Sequence, residues 1–186
     1  MKSPHSDSLI LVWRVAEFEA RQLKASTIEP THLLLALCKI VDLDLPTLVS
    51  KDAPDRNERL EEALRECRRL KNVFRAAGLD PKSFRRLLRR NSGGNRFSIA
   101  DAARLRRSAS AKRVFAKAEE LAAVSDCVVF PVHLLYAVML HQDQARTEAL
   151  DTLRVPPKRL QEASRREVII PSDEPHRPKT AKTKWN

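Results

Sequence analysis

One ten-residue phrase occurs twice in this chain, and that repetition limits the possible folds more than any other feature. Ile28-Glu29-Pro30-Thr31-His32-Leu33-Leu34-Leu35-Ala36-Leu37 lies over Val129-Phe130-Pro131-Val132-His133-Leu134-Leu135-Tyr136-Ala137-Val138 without a gap, and Pro, His, Leu, Leu and Ala coincide. Proline suits the first turn of a helix, where its missing N–H would have no partner. The residues after each proline are apolar on most sides, so each copy reads as a helix at the centre of a bundle. An alanine-rich amphipathic pattern precedes each copy. The first carries Leu9, Val12, Trp13, Ala16, Ala20 and Leu23, and the second Val114, Phe115, Ala118, Leu121 and Ala122. Each copy is followed by a further helix and then a last one, opened by Leu79-Asp80-Pro81 in the first half and Val155-Pro156-Pro157 in the second. A duplication of this length organises the whole chain, although it lies outside the short periods of solenoid repeats.

The rest of the sequence is helical in character. Glycine occurs three times in 186 residues, and Leu, Ala, Arg and Glu dominate, all strong helix formers. The class is all-α. Helices are expected over 8–25, with Asp7 or Ser8 capping the first N–H groups, and over 31–41. A long charged helix over 56–77 carries Leu60, Ala63, Leu64, Cys67, Leu70 and Phe74 on one face, with Gly78 as its C-cap. Others start at Pro81, Ser110 and Pro131 and cover 147–153 and 157–166, and a short stretch follows Ser98. The break Asn91-Ser92-Gly93-Gly94-Asn95 marks the seam. The expected organisation is a first repeat over 8–90, a basic linker over 91–107, a second repeat over 108–166 and a disordered basic tail over 167–186.

The net charge of +11 is concentrated in the middle. Residues 56–113 hold 18 basic and 6 acidic residues, whereas 1–55 come to −2 and 114–186 to +1. Arg85, Arg86, Arg89, Arg90, Arg104, Arg106 and Arg107 form the candidate electrostatic patch. It could attract nucleic acid or an acidic protein face, and a solvated helix face looks the same. Aromatic residues that could stack on bases are sparse there, namely Phe74, Phe84 and Phe97.

No catalytic residues emerge, since no nucleophile–base pairing or glycine-rich phosphate loop is signalled. His32, His133 and His141 have no carboxylate or cysteine at ligand spacing, so neither a metal nor a cofactor is expected. Cys38, Cys67 and Cys127 are widely spaced and odd in number, which fits reduced thiols in a cytoplasmic protein rather than a disulfide framework. No run of eighteen apolar residues is present, so no membrane association is expected. The N-terminal residues lack the apolar core of a signal peptide.

Taken together, the alanine-rich helix, the short loop and the His-Leu-Leu phrase, each occurring twice, resemble the double Clp-N motif. That motif forms the N-terminal domain of the Clp family of AAA+ unfoldases, and the resemblance covers about residues 8–166. It implies two small helical bundles packed as a pseudo-twofold pair and a docking platform for adaptors or unfolded clients. It also implies a non-catalytic accessory or regulatory factor of a Clp chaperone or protease, with Clp ATPase or protease subunits as partners. No phosphate-binding Gly-x4-Gly-Lys-Ser/Thr motif is present, so the chain reads as a stand-alone copy. The family's Glu before the motif His is Thr31 in one repeat and Val132 in the other, and neither can pair with a guanidinium; phosphoarginine is therefore not an expected ligand. Family ligands bind near the helix starts, which makes Thr31, His32, Val132 and His133 the candidate partner-binding residues. The histidines could instead be structural, each using a ring nitrogen to bond a loop carbonyl. The alternative function is a small basic helical protein that binds nucleic acid through residues 68–113.

Overall fold

The computed structural model describes residues 5–48, 55–92 and 105–169. The first half contains α1 (Asp7–Gln22), β1 (Thr27–Ile28), α2 (Pro30–Ile40), the short α3 (Leu45–Leu48), α4 (Arg56–Ala76) and α5 (Pro81–Asn91). The second contains β2 (Arg106–Arg107), α6 (Ala109–Val124), α7 (Pro131–Leu140), α8 (Gln144–Thr152) and α9 (Pro157–Ile169). The all-α class stands. The stretch expected after Ser98, the glycines of the break and the tail from 170 onward lie outside the described residues, as does Arg104.

The two proline-opened helices, α2 and α7, form the centre. Leu33, Leu34, Leu35, Leu37, Leu134 and Leu135 are fully buried, because each helix is surrounded. Helix α2 packs on α1 and α5, α7 packs on α6 and α9, and the two touch each other. The halves then exchange partners. Helix α4 packs on α9 of the second half, while α8, its counterpart, packs on α5 of the first. The same exchange is repeated in single bonds. Asn91 Nδ2 donates to the Ala145 carbonyl at 3.4 Å, and Arg69 binds the Glu167 carbonyl in the matching place on the other side. This is the pseudo-twofold arrangement.

Two short straps complete the interlock. The backbone ahead of α6 forms β2 and runs parallel to β1, just ahead of α2. The backbone ahead of α1 makes the equivalent pairing at His5 with Val129, just ahead of α7. Ser6 N donates to the Val129 carbonyl and Ser108 N to the Ile28 carbonyl, both at 3.1 Å. Each serine hydroxyl meanwhile caps its own helix, Ser6 accepting from Leu9 N and Ser108 from Ala111 N. The cap of α1 is therefore Ser6, one residue before the expected pair, because Ser6 has extended backbone and a hydroxyl oxygen at the right offset to accept from Leu9 N. Arg106 and Arg107, expected in a linker, instead form the strand that ties the halves.

Four helices end in the same way, with a left-handed residue after the last turn: Lys24 (φ 53), Gly78 (φ 70), Asp126 (φ 47) and Arg154 (φ 56). In each case the next N–H reaches back five residues, as in Leu79 N to Phe74 O at 2.8 Å and Val155 N to Leu150 O at 3.0 Å. These are Schellman closures, and only one uses the glycine that the conformation favours. Gly78 and Arg154 occupy equivalent positions, which aligns α4 with α8. Gln144 then matches Arg68, so the first 12 residues of α4, Arg56–Cys67, have no counterpart in the second half.

Arg154→Gly should raise stability by about 0.5–1 kcal/mol by removing left-handed strain from an exposed side chain. Gly78→Ala should cost about 1 kcal/mol, since a Cβ there meets Arg159 only at an ordinary 3.6 Å. Urea unfolding midpoints of the two variants should move in opposite directions.

Candidate functional site

His32 and His133 are the third residues of α2 and α7, and the helix geometry turns each ring back toward the chain entering it. His32 Nδ1 accepts from Glu29 N at 2.9 Å, and His133 Nδ1 accepts from Phe130 N at 3.0 Å. The imidazole does the work of the Glu or Gln of a capping box. The ring nitrogen therefore takes a backbone N–H and does not bond a loop carbonyl. Burial holds both imidazoles neutral. It lowers His32 against the opposing pull of Glu29, Glu19 and Asp143. It brings His133 down to about 4, with Arg69 pushing the same way.

Both rings are buried, and so is Val132. Thr31 is half-buried, and its hydroxyl donates to Asp143, the residue that caps α8. That bond places the start of α2 beside the end of α7. At the other end, Cys67 Sγ reaches the Ile40 carbonyl at 3.7 Å, and Arg69, two residues on, lies 5.8 Å over the Phe130 ring. The central helices therefore cross head to tail. Thr31 with His32 sits at one end, and Val132 with His133 at the other. The structure does not bring these four residues into one site, because an antiparallel pair separates helix starts by about a helix length, roughly 15 Å for eleven residues.

The two ends differ. Ahead of α7 the extra turns of α4 lie over the strap: Arg59 Nε binds Asp7 Oδ2 at 2.7 Å, and Ser6 Oγ donates to Glu66 Oε2 at 2.8 Å. Glu66 is 4 % exposed, and its second oxygen has no partner among the described residues. Burial pushes its carboxyl up to about 8, against the hydrogen bond from Ser6. Nothing in the hydrophobic periodicity flagged it, because it sits beside Ala63, Cys67 and Leu70 on what reads as the edge of an apolar face. Leu64, expected on that face, is 38 % exposed instead. Ahead of α2, β2 lies alongside β1, and Arg106 and Arg107 are exposed. Arg107 stacks over Trp13 and Phe115 at 5.5 and 5.0 Å.

The other members of the candidate patch lie on α5. Arg86, Arg89 and Arg90 are exposed and Arg85 is half-buried. Arg89 is committed to Glu19, a fully buried carboxylate on α1 that hydrophobic periodicity does not single out. Arg146 is likewise buried, donating to the Val138 carbonyl at 2.6 Å. A cleft of about 450 Å³ opens where α2 and α4 end and α5 begins, floored by Val41, Phe74 and Leu79 with Lys71, Arg75, Asp42 and Asp80 also lining it. No group of three or more His, Cys, Asp or Glu side chains among the described residues could hold a metal. No helix among them is long and apolar enough to cross a membrane.

No family model matches the chain and no curated protein matches it in sequence. Solved structures do match its fold. The Hsp104 N-terminal domain from Candida albicans superposes with a TM-score of 0.60 at 18% identity, over 87% of this chain and 89% of that one. The N-terminal domain of the caseinolytic protease associated chaperone ClpD from Arabidopsis thaliana gives 0.57 at 20%, over 88% and 94%. A chain from a malarial protein secretion system gives 0.60 at 14%, over 88% and 94%. The chain thus has the fold of the Clp and Hsp104 N-terminal domains.

One titration isolates Glu66. The folded carboxyl stays protonated to about 8 while the unfolded one ionises near 4.5, so the folded state binds more protons between those values. This group's contribution to stability therefore falls as pH rises from about 4.5 to 8. Glu66→Gln should abolish that slope and leave the acid-side loss below about 6.5 that the neutral His133 predicts. Chemical denaturation of both forms across that range reads the difference.

Proposed function

We propose that this chain is a non-catalytic protein-docking module and an accessory factor of a Clp-type chaperone or protease, binding the ATPase, its adaptors or its clients. The observation that carries this reading is how the interior polar groups are used. His32, His133, Arg146 and Ser6 each bind backbone, and Glu19 binds Arg89 and Lys39. What these groups hold rigid is a helical surface with exposed charge and scattered apolar side chains, which is material for contact rather than turnover. The likeness to the ClpD and Hsp104 N-terminal domains over nearly their full length supports the same use here.

Within that reading, the end at Thr31 is the favoured partner-facing end. The extra turns of α4 lie over the end at Val132 and His133, and Arg69 packs onto Phe130. His32, Val132 and His133 shape the ends from beneath, while Thr31, Arg106 and Arg107 are the side chains a partner would meet. Thr31→Lys would place a cation beside Asp143 and project it toward that partner.

Immobilised chain incubated with nuclease-treated lysate should retain Clp-type ATPase or protease subunits, identified by mass spectrometry, and Thr31→Lys should reduce that retention several-fold. Retention solely of ribosomal or nucleoid proteins that vanish with nuclease would contradict the docking reading.

A further inference from the structure

The cations of α5 divide by what they meet. Arg89 forks onto Glu19, with Nη2 to Oε1 at 2.6 Å and Nε to Oε2 at 2.9 Å, and Lys39 lies 3.9 Å from the same carboxylate. Arg85, one turn earlier, is half-buried toward that side, where its charge is felt at Cys38. One buried carboxylate therefore holds both Arg89 and Lys39. On the outer side, Arg86 and Arg90 are exposed with no ion pair among the described residues, and Lys82 has only Asp80, two residues back, at the helix cap. Lys82, Arg86 and Arg90 are four residues apart, which spaces them about 6 Å along the axis. Phe18, next to Glu19, is 48 % exposed with the Lys39 ammonium 4.6 Å over its ring.

We infer that the surface formed by Phe18 of α1, Lys39 of α2 and Lys82, Arg86 and Arg90 of α5 docks an acidic amphipathic helix of a protein partner. The inference rests on the docking reading above and names the chemistry of the partner. Carboxylates four residues apart on a helix repeat at the same 6 Å, so a partner helix laid along α5 matches the cation row step for step. Its apolar flank meets the exposed edge of Phe18. A nucleic acid would match the charge, but Phe18 is the one aromatic among these five side chains on which a base could stack, and Lys39 lies over one face of its ring.

The test is fluorescence anisotropy on the full chain at about 0.15 M salt. One probe is a synthetic helical peptide with glutamates four residues apart and a leucine flank, and the other an oligonucleotide of equal charge. The peptide should bind more tightly than the oligonucleotide. The triple variant Lys82→Glu, Arg86→Glu, Arg90→Glu should weaken it at least about tenfold with unchanged circular dichroism, and Phe18→Ser should weaken it severalfold on its own. Tighter binding of the oligonucleotide, or peptide binding undiminished in the triple variant, would overturn the inference. If the peptide fails to bind while Clp-type subunits are still retained from lysate, this inference alone falls. If neither is bound, the docking reading falls with it.

Discussion

Two backbone hydrogen bonds govern the architecture: Ser6 N to the Val129 carbonyl and Ser108 N to the Ile28 carbonyl. Each ties the start of one half to the residue just ahead of the central helix of the other. A helix start has donors without intrahelical partners, and a loop entering a helix has carbonyls to offer, so the exchange satisfies both at once. The same two serines cap α1 and α6 with their hydroxyls. Between the straps Trp13 and Phe115, equivalent residues of α1 and α6, meet edge to face at 5.8 Å and 71°. They are flanked by His5 on one side and Arg107 on the other. The pseudo-twofold axis passes between these two rings. Sequestering them at the axis gives each half an apolar partner it lacks alone.

Departures from that symmetry are informative. Twelve extra residues of α4 lie over one strap and set a buried glutamate against Ser6, and α8 has no such turns. Arg69 then closes on Phe130 and Glu167. The two ends of the duplicated fold are thus not equivalent, and the exposed basic residues of β2 and α5 lie outside the added cover. That asymmetry leaves the α2 start and α5 as the less covered surfaces.

Much of this was legible in the sequence, for identifiable reasons. Helix α2 and α7 announce themselves because a proline at the first turn followed by leucine on every side leaves no other reading. The repeat alignment carried over to equivalent caps and equivalent inter-half bonds. Leu64 departs from its expected face and Glu66 goes unmarked, because a helical wheel knows the spacing but not which neighbour arrives. At Leu64 none covers the side chain, and at Glu66 the strap of α1 does. The four candidate residues at the helix starts follow from where ligands of the resembled family bind, yet crossing direction, which sets them at opposite ends, is a tertiary property that periodicity does not encode. Likewise, Arg106 and Arg107 looked like linker because two-residue strands carry no pattern. That Arg89 is spent and Arg86 is not depends on a glutamate seventy residues away in sequence.

The claim beneath the whole account is that the straps make two repeats one cooperative unit. Scanning calorimetry tests it most directly. A single transition with equal calorimetric and van't Hoff enthalpies is the predicted result, and Trp13→Ala should lower its midpoint without splitting it. Two separable transitions in the native chain, one for each repeat, would contradict the interlocked platform on which the proposed docking depends.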